Sequence, residues 1–218
     1  MKRFKILIIG VFLAASCTRK DDTDVATSNR SNIANITPQN KKPPADSILH
    51  IVPSDDTFTT YTVLAGDNYI VNNSYPPFSR SFIRFKAILD SSCIYKSSVQ
   101  EDQKDVNKLY GFADCNSFHH VNSARFGWDW DNGKMYIFAD CYVNTVRVLK
   151  NLGAIQLDSI IDCEIKVLPD EYQFILNGNM DTVSRGCTDS VAMGYKLLPY
   201  FGGNEPAPHD VHIKIKEY

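Results

Sequence analysis

Residues 124–141 read ARFGWDWDNGKMYIFADC and carry the clearest structural signal in the chain. Asn132 and Gly133 are the pair that a two-residue type I′ turn favours, because both central positions of that turn need positive φ. Counting outward from the turn places Arg125 opposite Asp140. The stretch therefore predicts an antiparallel β-hairpin in a fixed register.

Alternation along the two strands sorts the side chains of the hairpin onto two faces. One face is apolar and carries Ala124, Phe126, Trp128, Trp130, Met135, Ile137, Ala139 and Cys141. The other face carries Arg125, Gly127, Asp129, Asp131, Lys134, Tyr136, Phe138 and Asp140. Both tryptophans fall on the apolar face, so we expect them to pack in the core rather than to form exposed platforms for sugar rings.

Short runs with period-two alternation, broken by turn residues, continue from residue 48 to the C-terminus. Besides the hairpin strands 124–130 and 134–142, the predicted strands are 48–52, 57–64, 69–71, 82–89, 145–149, 163–168, 172–176, 195–198 and 211–216. Brief helix is predicted near 99–106 or 158–162. So many short strands predict one all-β domain over residues 48–218, a two-sheet antiparallel sandwich.

Composition agrees with a globular domain and excludes some partners. The chain has 218 residues, of which 44% are hydrophobic and 22% are charged, as in ordinary globular proteins. Lys and Arg number 23 against 25 Asp and Glu, a net charge of -2. Because phosphate contacts require a clustered basic excess, we expect no nucleic-acid partner.

The N-terminus has the pattern of an export signal. A basic start precedes an uncharged apolar run that is too short for a permanent membrane span and ends in small residues before Cys17. Residues 13–17, LAASC, resemble a bacterial lipobox. The resemblance implies that residues 1–16 are a signal peptide that is removed, and that Cys17 then carries the lipid anchor.

A tether is predicted between the lipid and the domain. Residues 17–47 are rich in polar residues and proline, contain no aromatic residue and show no apolar period. The run CTRKDD at 17–22 resembles the export tag of surface-exposed lipoproteins of some Gram-negative bacteria. This resemblance implies a lipid-anchored protein of the outer membrane that is exposed on the cell surface, with the membrane as one partner.

A dense polar stretch, DCNSFHHVNSAR at 114–125, overlaps the start of the hairpin. Adjacent histidines on extended chain point in opposite directions and cannot both bind one ion, so no metal site is expected. We expect a loop held by side-chain to backbone hydrogen bonds. The alternative is a site in which His119 or His120 moves a proton while Asn122 and Arg125 hold a carboxylate.

The polar face of the hairpin is where the sheet would bind a ligand. The candidates are Arg125, Asp129, Tyr136 and Asp140, with Asn122 from the preceding loop. The favoured interpretation, however, is that Arg125 and Asp140 form a solvent-exposed cross-strand pair worth a few tenths of a kcal/mol.

The C-terminal segment YKLLPYFGGNEPAPHDVHIKIK at 195–216 combines a Gly-Gly reversal, two prolines after that reversal and a final alternating strand. It resembles the last two strands of a concanavalin-like jelly roll, a fold common among bacterial surface lectins and polysaccharide lyases. The resemblance implies a sandwich of jelly-roll type, without a catalytic motif that can be matched residue by residue. Tyr200 is expected in a shaped turn, with a place in a site as the alternative.

Five cysteines follow Cys17, an odd number that excludes complete pairing within the chain. In an oxidising envelope we expect one disulfide and at least one buried thiol, with Cys141 on the core face.

Two functions of different classes remain open. The first is a non-catalytic module that binds a polysaccharide or a surface protein through its polar sheet face or its rim loops. The alternative is a polysaccharide lyase-like enzyme that acts on an acidic glycan. That enzyme requires His119 or His120, Arg125 and a tyrosine such as Tyr200 or Tyr136 in one groove. No cofactor is expected for either.

Overall fold

The computed structural model describes residues 57–218. The predicted signal peptide 1–16, the lipidated Cys17, the tether 17–47 and the strand 48–52 lie outside the described residues. Within the described part of the chain, no helix has the length and apolar character needed to cross a membrane.

Twelve strands of the described chain form two six-stranded antiparallel sheets. Sheet I has the order β1-β12-β3-β8-β9-β10 and consists of β1 (Thr59–Val63), β12 (Val211–Glu217), β3 (Phe82–Leu89), β8 (Ile160–Val167), β9 (Glu171–Leu176) and β10 (Asn179–Ser184). Sheet II has the order β2-β11-β4-β5-β6-β7 and consists of β2 (Pro77–Arg80), β11 (Ala192–Leu197), β4 (Asn107–Ala113), β5 (Ser123–Asp131), β6 (Lys134–Val143) and β7 (Val146–Ile155). The chain crosses repeatedly between the sheets and returns β12 to lie between β1 and β3, which is jelly-roll connectivity. The predicted fold class is confirmed.

The predicted hairpin is present in the predicted register. Asn132 and Gly133 have φ values of 50° and 73°, as a type I′ turn requires. Arg125 faces Asp140 across β5 and β6, as counting from the turn indicated.

The apolar face of the hairpin packs between the sheets. The ring of Phe126 on sheet II contacts Phe85 and Phe174 on sheet I, with centroids 5.6 and 5.1 Å apart. Trp128 is buried against Tyr95 and the loop residue Phe201. The predicted core positions are confirmed, although Trp130, next to the turn, is only partly buried.

Some predicted elements differ from the structure. Strands β2, β4 and β10 were missed, and the predicted strand 69–71 forms only isolated bridges. The predicted helix near 99–106 is present as a 3₁₀ helix, Gln100–Lys104, whereas 158–162 holds no helix because β8 begins there. In β4 the register shifts between Lys108 and Tyr110, which breaks the period-two alternation that marks a strand in the sequence.

One disulfide joins Cys115 to Cys187, and the other three cysteines of the described chain, Cys93, Cys141 and Cys163, are buried free thiols. This agrees with the expectation of one bridge, and Cys141 lies on the core face as predicted.

Candidate functional site

A cavity of about 320 Å³ opens on the face of sheet II that points away from the core. Strands β4 to β7 form its floor, and its walls come from the loops β1–β2 (64–76), β4–β5 (114–122) and β11–β12 (198–210). The polar side chains that line it are Tyr69, Asn73, Tyr75, Lys108, His119, His120, Arg125, Tyr142, Arg147, Tyr200 and Asn204. Its volume is at the lower end of the range for small-molecule sites.

Four predicted site residues converge on this cavity. His119 and His120 come from the β4–β5 loop, Arg125 from β5 and Tyr200 from the β11–β12 loop. The loop segment carrying Tyr200 continues sheet II beside β4, because Tyr200 and Lys108 exchange backbone hydrogen bonds of 3.0 and 2.8 Å. The turn predicted around Tyr200 therefore forms part of the cavity wall.

The expected solvent-exposed pair of Arg125 and Asp140 is a buried pair. The side chains are 8% and 0% exposed, and Arg125 Nε lies 3.4 Å from Asp140 Oδ2. Asp140 also accepts hydrogen bonds from Arg147 Nε at 2.9 Å and Arg147 Nη2 at 3.0 Å. The prediction was wrong because the loops that wall the cavity cover this face, which the hairpin sequence cannot reveal.

Asp140 stays ionised beneath the cavity floor. Burial alone would raise the pKa of its carboxyl group, but the hydrogen bonds from Arg147 and the charge of Arg125 outweigh burial and hold the pKa below its usual value. The bidentate pairing commits the Asp140 carboxylate to Arg147.

Arg125 is left with unused hydrogen-bonding capacity. Its Nε is buried and has no hydrogen-bond partner among the described residues. Within the part of the chain that the structure describes, no Asp or Glu side chain lines the cavity, whereas Lys108, Arg125 and Arg147 all do. A buried cation normally needs a hydrogen-bonded counter-charge, so the cavity is suited to an anionic group.

Both histidines reach the cavity, contrary to the expectation that adjacent histidines face opposite ways. The two residues lie in a turn rather than on extended chain, and their ring centroids are 4.4 Å apart. His119 Nδ1 lies 2.9 Å from the Tyr195 hydroxyl. Burial and the charges of His120 and Arg125 lower the pKa of His119 to about 4, and burial likewise lowers the pKa of His120. Both rings are therefore neutral at pH 7 and can accept protons.

Exposed aromatic rings surround the mouth of the cavity. Tyr69 packs edge-on against Tyr200 with centroids 4.9 Å apart, and Tyr75 packs in the same way against Tyr195 at 5.4 Å. Tyr69 and Tyr75, which line the cavity, are each about half exposed. The rim therefore offers flat apolar surface above a cationic floor.

Asn122, Asp129 and Tyr136 do not line the cavity. Asn122 is a structural residue of the loop, because its Oδ1 accepts a hydrogen bond of 2.9 Å from the backbone N–H of Asn144. Asp129 is buried where the 3₁₀ helix Gln100–Lys104 covers β5, and Tyr136 faces it across the hairpin. The ligand-binding role predicted for these three residues is not supported by the geometry of this cavity.

A buried cluster holds the cavity wall that carries the two histidines. We call it the clamp; it consists of Asp114, Arg185, Tyr172 and the Cys115–Cys187 disulfide. Asp114, at the start of the β4–β5 loop, accepts hydrogen bonds from Arg185 Nε at 2.7 Å, the Tyr172 hydroxyl at 2.8 Å and the Met193 backbone at 3.0 Å. The next residue, Cys115, forms the disulfide with Cys187. These groups are near enough to hold a metal ion, but both sulfurs are consumed in the disulfide and Asp114 is already paired.

The cavity residues that were not predicted from the sequence include Lys108, Tyr142 and Arg147. The predicted strand 145–149 included Arg147, and pairing across the β6–β7 turn puts it opposite Tyr142. Counting from that turn would have found both. Lys108 gave no such signal, because it lies beside the irregularity in β4.

No protein-family model matches the chain, and no curated protein matches it. Among solved structures it is similar to the polysaccharide lyase family 18 protein aly-SJ02 r-CATD, with a TM-score of 0.47 and 5% identity over 76% of this chain and 89% of that chain. It is also similar to the PL7 alginate lyase AlyA1 from Zobellia galactanivorans, with a TM-score of 0.47 and 11% identity over 75% of this chain and 76% of that chain. The laminarinase catalytic domain from Thermotoga maritima MSB8 gives a TM-score of 0.45 and 10% identity over 75% and 79% of the two chains. Likeness at this level carries no argument about activity.

Proposed function

We propose that this domain binds an acidic polysaccharide in the cavity of sheet II. The observation that carries the proposal is the buried Arg125, which lines the cavity with Lys108 and Arg147 and whose Nε has no hydrogen-bond partner, although Asp140 lies 3.4 Å away. Among the described residues, no carboxylate lines the cavity. A carboxylate or sulfate group would complete its hydrogen bonding with a charge-assisted bond.

The exposed aromatic rings at the rim of the cavity favour a sugar over a simple ion as the ligand. The exposed rings of Tyr69 and Tyr75 are suited to packing against the apolar faces of pyranose rings, and their hydroxyl groups to hydrogen bonding. The concave shape also favours a narrow chain over the broad surface of a partner protein, which usually buries about 800 Å² on each side.

Arg125→Met is expected to weaken binding of a uronate oligosaccharide tenfold or more, about 1.4 kcal/mol, measured by titration calorimetry. The variant removes the charge of Arg125 but leaves Asp140 its bidentate bonds from Arg147, so the protein should remain folded. Arg80→Met is the matched control, because Arg80 is exposed and pairs with Glu217 outside the cavity. Equal affinity of folded Arg125→Met and the parent protein would place the site elsewhere.

A second candidate, a lyase that acts on the same acidic glycan, is favoured by the neutral histidines. In such a reaction a base removes the proton next to the uronate carboxylate, a carbon–carbon double bond forms, and the glycosidic oxygen leaves with a proton from an acid. His119 and His120 are candidate bases, Tyr200 is a candidate acid, and Arg125 would neutralise the carboxylate. Product with the absorbance of an unsaturated uronate identifies the lyase, whereas binding without product identifies the non-catalytic module.

We also propose that the protein is displayed on the outer membrane through lipid on Cys17. The support is the lipobox-like sequence, since a lipid would supply the anchor. A palmitate analogue should label the protein in cells, and Cys17→Ala should release it from the membrane fraction. A variant that stays in that fraction without the label would argue for another means of attachment.

A further inference from the structure

Lys108 lines the same cavity and, unlike Arg125 and Arg147, has no ion-pair partner among the described residues. It is buried on β4, and its Nζ donates a hydrogen bond of 2.7 Å to the backbone oxygen of Gly202. The ring of Tyr200 lies beside it, with the centroid 5.5 Å from Nζ. No ion pair links Lys108 to a carboxylate within the described residues.

The charged groups around Lys108 come from several elements. Arg125 on β5 and Arg147 on β7 repel its positive charge, while Asp140 on β6 and Asp105, which precedes β4, attract it. His120 on the facing loop is neutral, because burial and the charges of Arg125 and Lys108 lower its pKa. Arg147 forms a bidentate ion pair with Asp140, so the positive charge of Arg147 offsets most of the attraction between Asp140 and Lys108.

We propose that Lys108 binds the anionic group of the ligand in its ammonium form, so that under alkaline conditions, where the free amine is neutral, an acidic ligand binds together with a proton taken up by Lys108. The proposal rests on the acidic ligand proposed above and adds that pH sets its affinity. A carboxylate or sulfate group that binds in the cavity would supply the counter-charge that Lys108 lacks among the described residues.

The direction of the pH dependence follows from burial. Burial and the two arginines lower the pKa of Lys108 to about 8 in the free protein. An anion in the cavity favours the ammonium form and raises that pKa again. Below pH 8 the ammonium is already present and affinity is highest. Above pH 8 each binding event must also recruit a proton, so affinity should fall by up to about tenfold per pH unit.

Sodium sulfate is a suitable probe, because it keeps its double charge between pH 6 and 11 and contains no sugar. The Cε signal of Lys108 in the full-length protein, labelled with ¹³C-lysine, should titrate near pH 8 and shift upward by at least one pH unit in sulfate. Sodium chloride at equal ionic strength corrects for screening. Lys196 is the internal control, because it is paired with Glu217 at 2.5 Å and does not line this cavity.

Lys108→Arg assigns the signal and provides a second readout. Arginine keeps its charge throughout this pH range, so sulfate affinity in this variant should be independent of pH from 7 to 10. The proposal is overturned if Lys108 titrates above pH 10 without sulfate, if sulfate shifts its titration no more than chloride does, or if the pH dependence survives in Lys108→Arg. If sulfate couples to Lys108 but uronate oligosaccharides do not bind at any pH, the anion site stands and the glycan proposal fails.

Discussion

Trp128→Ala is expected to lower the free energy of unfolding by about 3–5 kcal/mol, as truncation of a buried large aromatic side chain does. Trp128 lies in the core between the sheets, with Tyr95 and Phe201 packed edge-on against it at 5.9 and 6.0 Å. Urea unfolding followed by circular dichroism measures the loss.

The neighbouring Asp129 provides the control for this prediction. It lies on the other face of β5, and its buried Oδ1 has no hydrogen-bond partner among the described residues. Burial and the charge of Asp131 raise the pKa of Asp129 to about 6, so its ionised form destabilises the fold above pH 6 and not below pH 4. Asp129→Asn should therefore stabilise the protein at pH 8 and lose this advantage near pH 4. A loss at pH 8 as large as that of Trp128→Ala would contradict the face assignment.

Asp114→Ala is the second substitution with a large expected effect, a loss of about 3–5 kcal/mol in the free energy of unfolding. It would leave the Arg185 guanidinium buried without its counter-charge, and it would remove the acceptor of the Tyr172 hydroxyl and of the Met193 backbone N–H. Thermal and urea unfolding measure the loss. Uronate binding should weaken as well, because the clamp positions the loop with His119 and His120.

Two further variants test whether the loss of stability in Asp114→Ala comes from leaving a buried charge unpaired rather than from breaking any ion pair. Lys150→Met removes the pair with Asp181, whose side chains are 41% and 43% exposed, and should change stability by less than about 1 kcal/mol. The double variant Asp114→Leu with Arg185→Met removes both buried charges and should recover part of the loss. If Asp114→Ala costs no more than Lys150→Met, the clamp does not hold the loop.

The fold was predictable where the sequence contains a turn that fixes register. Asn132 and Gly133 determine the pairing of two long strands, and alternation then gives the core face. β2 and β10 were missed because PFSR and NMDTVS are short and polar. β4 was missed because all seven of its residues are buried and its register shift removes the alternation.

The site was predictable only in part. Arg125 and the two histidines were predicted as site residues from their residue types. The environment in which they lie depends on loops that pack over sheet II. The burial of the Arg125–Asp140 pair and the approach of Tyr200 are tertiary effects, which no local pattern in β5 or β6 contains. The turn at His119 and His120 brings both rings to one cavity, whereas extended chain would have separated them.

The three free cysteines of residues 57–218 can report local opening of the structure. Cys141 sits inside sheet II and Cys163 inside sheet I, while Cys93 follows β3 in a 3₁₀ turn. Burial raises the pKa of each thiol, and only an exposed thiolate reacts with an alkylating reagent. The structure around each thiol must therefore open before an alkylating reagent can modify it. Comparing the rates at Cys141 and Cys163 distinguishes separate loosening of the two sheets from their concerted opening, without any engineered label.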